Sequence, residues 1–141
     1  MLETLVSMLI TFFPLWMGRD KVWTPTFEGT REERFVKAMH HYQDKMGIEE
    51  SFIFTTREYS PKHPICSSVQ LSGEWDAVII SFYVKPNGKQ PNGCSGAKPE
   101  FWALHEACHL RYQHHRMNLD PKKKEEEAKD CMLLYSAKER R

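Results

Sequence analysis

The 141-residue sequence predicts an α+β domain: N-terminal helices, a small, mainly antiparallel sheet, then two further helices packed antiparallel. Three observations carry that prediction. A capping-box spacing with an apolar stripe marks a helix over residues 31 to 46, and three β-prone runs follow between 51 and 84. From Pro99 onward, two segments without internal Gly or Pro each open on a helix-start signature. Composition agrees, since 40% apolar and 28% charged residues belong to a folded chain, not a disordered one. A formal charge of +1 provides no field that would draw the molecule to nucleic acid, and no reader motif is present, so no nucleic-acid partner is expected.

Residues 1–20 read as an apolar N-terminal segment preceding a single domain over 21–141. The run from Leu5 to Met17 is shorter than the roughly 20 residues a membrane-spanning helix needs, and Pro14 interrupts it. It lacks the basic start and cleavage site of a secretory signal. We read it as a helix packed on the domain or in a partner's groove, with membrane contact through residues 1–18 as the alternative.

Thr30 and Glu33 have the spacing of a capping box. Phe35, Met39, Tyr42 and Met46 then recur at helical steps, and Gly47 stands where the helix should stop. His40 and His41 lie beside the stripe and read as surface residues. The β-prone runs are "SFIFTT" (51–56), "SSVQLS" (67–72) and "DAVIISFYV" (76–84), separated by Pro61, Pro64 and the turn-compatible "GEWD". An extended peptide could add to the edge of the last of these. Residues 85–100 contain Pro-Asn-Gly twice and read as a loop. The widely spaced Cys66, Cys94, Cys108 and Cys131 form no C-x-x-C pair, so free thiols in a reducing, cytoplasmic setting are expected, with a Cys66–Cys94 bridge as the alternative.

Pro99 and Glu100 suit the first turn of a helix running to about residue 116. On it, His105, Glu106 and His109 form H-E-x-x-H. The two histidines are one turn apart on one face, close enough for both rings to reach one metal ion. Glu106 is rotated by about 100° around the helix, where it can take a proton from a water activated by that ion. Zinc in such a site wants a third protein ligand. Asp120 and Pro121 begin a second helix after the short link "RMNLD", which brings Glu125, Glu126 or Glu127 back toward the histidines; spacing alone leaves the three open. The run "KKKEEE" otherwise reads as a solvated face. His114, His115 and Tyr135 read as surface or packing residues, and Cys108 as a small core residue.

"HEACH" followed by "EEEAKDCMLLY" resembles the gluzincin metallopeptidase pattern, H-E-x-x-H on one helix completed by E-x-x-A on the next. It is most similar to the small ImmA/IrrE-type metallopeptidases, over roughly residues 76–136. That resemblance implies a minimal zincin-like core, Zn2+ held by His105, His109 and Glu125, and Glu106 as general base. It further implies a peptide or protein substrate, cleaved at one regulated partner. Lys129 stands where the pattern usually has Asn or Asp, and Asp130, one place later, is available to steady a ligand instead. A different class of function is a noncatalytic, zinc-stabilised interaction or regulatory protein, with membrane association through residues 1–18.

Overall fold

The computed structural model describes residues 9–10, 21–72, 77–116 and 118–140. The first helix, α1, spans Arg31–Met46. Thr30 accepts from the Glu33 N–H while the Glu33 side chain accepts from the Thr30 N–H, and Gly47 ends the helix at φ 66°. Phe35, Ala38, Met39, Tyr42 and Met46 are its buried face. His40 is exposed and His41 half-buried.

Strands β1 (Leu9–Ile10), β2 (Phe52–Glu58), β3 (Ser67–Ser72) and β4 (Ala77–Val84) form a mixed sheet in the order β1-β3-β4-β2. The β3–β4 and β1–β3 pairs are antiparallel, but β2 runs parallel to β4, Phe52 opposite Val78 and Glu58 opposite Val84. One expectation, of a mainly antiparallel sheet, holds for two of the three pairings and is refined, and another is corrected. The sheet is mixed, and the "DAVIISFYV" strand is interior with neighbours on both sides, leaving it no edge for a peptide. The reason is legible in the strand itself: a near-continuous apolar run suits a strand covered on both faces, which is the central place. Within the apolar N-terminal segment, Leu9 and Ile10 pair as a strand with Val69 and Ser68 and are not helical. The remainder of residues 1–20 and the "GEWD" turn (73–76) lie outside the described residues.

The segment 85–98 is not all loop, because Asn92–Ser95 forms a short helix, α2. The buried Gln90 side chain donates to the Cys66 and Tyr83 carbonyls. Helix α3 spans Pro99–Arg111 and α4 spans Pro121–Glu139. Helix α3 ends five residues earlier than its sequence suggests: Gln113 takes φ 55°, a value uncommon outside glycine, and His114–Arg116 turn as a 3-10 helix. The link to α4 is correspondingly longer. Across the two helices, residues 105 and 125, 108 and 131, and 111 and 135 meet, so the pairings advance in the same sense along both. The antiparallel packing expected from a short link is therefore not adopted.

All four cysteines are paired, Cys66 with Cys94 and Cys108 with Cys131, and no free thiol remains. This corrects the free-thiol expectation. The bonds close segments of 28 and 23 residues between elements that sequence spacing does not reveal as neighbours. Each such bond contributes about 3 to 4 kcal/mol in the chain-entropy account. The second joins α3 to α4 beside the residues of interest. Among the described residues no helix is long and apolar enough to cross a membrane.

Candidate metal centre

Helix α3 is central: every residue from Pro99 to Leu110 is buried. It packs on α1, on β3 and on α4. A helix covered on all sides shows no amphipathic stripe, so its polar residues must find partners in the interior. Four of them are titratable, Glu100, His105, Glu106 and His109, and all four are 0% exposed.

Glu100, in the first turn, is fully engaged. Arg34 of α1 donates to both of its oxygens at 2.8 and 2.9 Å, and the Phe27 N–H donates at 2.8 Å. Burial pushes its pKa up, but the Arg34 hydrogen bonds and the Phe27 N–H outweigh that and hold the carboxyl below its usual value.

One and a half turns later the geometry changes. His105 Nε2 lies 2.8 Å from Glu125 Oε2, and His109 Nε2 lies 3.1 Å from Glu125 Oε1. The two Nε2 atoms are 3.1 Å from each other. Three groups that carry lone pairs thus converge on one point, with Glu125, 37% exposed, forming the outer wall. The opposite nitrogens are engaged elsewhere. His105 Nδ1 is 3.3 Å from Glu106 Oε2, which also accepts from the Ser67 hydroxyl at 2.5 Å. His109 Nδ1 is 2.9 Å from His114 Nδ1, and His114 Nε2 is 2.6 Å from Glu127 Oε1.

Charge follows this arrangement. Burial alone would lower the His105 pKa, but the carboxylates of Glu125 and Glu106 raise it to about 9. Burial works in the opposite direction on Glu125, where the charge of His105 and hydrogen bonds from both histidines win and hold the carboxyl well below the usual carboxylate range. At His114 burial dominates and lowers the pKa against the pull of Glu127.

Whether a metal ion fits is decided by the donors. Zinc takes imidazole nitrogen and carboxylate oxygen at about 2.0–2.2 Å, which sets tetrahedral edges of roughly 3.3 Å. The edges here, 2.8, 3.1 and 3.1 Å, are within a few tenths of an ångström of that. His105, Glu106 and His109 form a second, overlapping trio, wholly buried, with ligating atoms within 4.8 Å of one another. Glu125 is the better third donor, because Glu106 reaches His105 on the Nδ1 side, away from the point where the Nε2 atoms meet.

All four residues singled out from the sequence come together, and the choice among Glu125, Glu126 and Glu127 falls on Glu125 for the central cluster. Glu126 and Asp130 are exposed. Ser67 and His114 are parts of the cluster that spacing did not reveal, and Glu127, one of the three glutamates left open, joins it through His114. His114 and His115 are buried, not on the surface, and His115 Nε2 pairs with Glu50 at 3.0 Å. The signal available for them was weak: two adjacent histidines just past the helix end, with no partner nearby in sequence.

Comparison of the chain with protein-family models, with curated proteins and with solved structures finds no match in any of the three. What the fold and the cluster define is an α+β domain with a buried His-Glu-His group able to hold a metal ion.

Proposed function

We propose that the chain is a zinc-dependent metallopeptidase in which His105, His109 and Glu125 hold the ion and Glu106 is the general base. The observation that supports this reading is the convergence of both Nε2 atoms and the Glu125 carboxylate on one point, within 3.1 Å of one another. A divalent cation there would supply Lewis acidity, lowering the pKa of a water and polarising a peptide carbonyl. Glu106 takes the proton of the attacking water and returns it to the leaving amine. Ser67 donates to Glu106 Oε2 and aims the carboxylate. Glu125, partly exposed, marks the side from which a peptide or protein substrate enters. Two disulfides favour an oxidising compartment for this chemistry over the cytoplasm.

A second reading has its own support. Glu106 is 0% exposed and bonded to Ser67 and to the far nitrogen of His105, which is the place of a carboxylate that orients a metal-binding imidazole. On that reading the centre is a noncatalytic, zinc-stabilised interaction module. The deciding experiment measures zinc content and cleavage of a peptide library by the wild type and Glu106→Gln. A peptidase binds about one zinc per chain and loses roughly 10²- to 10⁴-fold in turnover in the variant. Zinc without turnover in either protein establishes the second reading, and a folded chain that takes up no zinc sinks both.

A further inference from the structure

From the chain of contacts behind His109, we infer that His114 and Glu127 are positioning residues that fix the tautomer of His109 and so point its Nε2 lone pair at the metal centre. The inference rests on the metal-site reading above and adds to it the device that prepares the second histidine.

Glu127 Oε1, 2.6 Å from His114 Nε2, is a carboxylate oxygen and can only accept, so His114 carries its proton on Nε2. A neutral His114 then has a bare Nδ1. That atom lies 2.9 Å from His109 Nδ1, so the proton between them belongs to His109 Nδ1. With its proton held there, His109 is left to meet an ion through Nε2, the atom that faces His105 Nε2 and Glu125 and gives up to the ion the proton it otherwise shares with that carboxylate. Glu106 does the same for the other ligand, accepting from His105 Nδ1. The two histidines are therefore prepared from opposite sides by different means, one by a carboxylate directly and the other by a carboxylate acting through a ring.

The placement is built for this and costs the chain something. His114 is 0% exposed although it lies outside any α-helix, and the turn that buries it requires the left-handed Gln113 at φ 55°. Glu127, half exposed, lies on α4 two residues after Glu125, so the element that supplies the third ligand also supplies the far end of the relay. Docking of α4 against α3 thus delivers both together. The ring of His114 also packs against that of Tyr112, with centroids 5.7 Å apart, which restricts its rotation.

The test compares His114→Phe, which keeps a ring but removes the acceptor, with His114→Asn, whose side-chain oxygen stands close to where Nδ1 accepted. Zinc affinity is measured by competition with a chelating dye, and the His109 tautomer is read by long-range nitrogen-proton NMR correlation on metal-free protein. Expected are an Nδ1–H tautomer at His109 in the wild type, its loss in His114→Phe with zinc binding weakened about 10- to 100-fold, and recovery of most of both in His114→Asn. Equal zinc affinity and an unchanged His109 tautomer in a folded His114→Phe would overturn the inference while leaving the metal site intact. A wild type that binds no zinc but shows the tautomer and its loss would instead overturn the metal reading alone.

Discussion

Helix α3 buries charge at both ends, and the two ends do it differently. In its first turn Glu100 meets Arg34 and the Phe27 N–H, three donors for one carboxylate, and the arrangement is complete in itself. Farther along, the Nε2 atoms of His105 and His109 turn toward each other and toward a single carboxylate, Glu125. Each of these atoms faces two others, so no one-to-one pairing accounts for all three. Burial of a charged residue is thus no mark of function by itself. The mark is donors aimed at a shared point, where a fold under no other demand would pair them off one to one.

The largest effect is expected at Glu125. Glu125→Ala should abolish stoichiometric zinc binding and also lower the thermal stability of the metal-free chain at neutral pH, because His105 and His109 hold the Glu125 carboxylate below its ordinary pKa. Mass spectrometry of the metalated protein and a melting curve of the apoprotein check the two halves, and a wild type without zinc whose variant shows only the loss of stability would mean that this end too is merely an ion pair. At the other end, Arg34→Met should leave zinc content unchanged and destabilise the fold by about 3 to 5 kcal/mol, the cost of stranding a buried charge. Denaturant unfolding reads this directly.

The smallest effect is in acid. The Glu100 carboxyl has a folded-state pKa below its ordinary value, so its contribution to stability is complete above the unfolded glutamate value of about 4.3 and is lost as pH falls through the lower folded value. The difference in melting temperature between the wild type and Glu100→Gln should therefore be widest near pH 6 and narrow on acidification below about pH 4. A gap independent of pH would mean that Glu100 acts by shape and not by charge.

Much of this was legible in the chain because it depends on near neighbours. Thr30, Glu33 and Gly47 bound α1 through contacts no more than a few residues long, and the structure repeats that reading residue for residue. His105 and His109 share a face because a helix has a fixed pitch. The strands too begin and end within a residue or two of the β-prone runs. The central place of β4 was misread as an edge although its continuous apolar run argued for the interior.

Other features join partners far apart in sequence and arise only when the chain folds. Cys66 meets Cys94 and Cys108 meets Cys131 across 28 and 23 residues, and nothing in their spacing distinguishes bonded from free. The end of α3 at Arg111 follows from His114 and His115 finding acidic partners inside the fold, Glu127 and Glu50, which a local reading cannot supply. The same holds for Glu125 over Glu126: adjacent residues of the same type differ only in which way α4 faces once it docks. The elements and the shared helical face of the two histidines follow from the order of residues alone, because pitch and capping are local. Docking chose which glutamate meets the two histidines, which cysteines bond and which carboxylates stand behind each ring, because those are settled by which surfaces meet when the core closes.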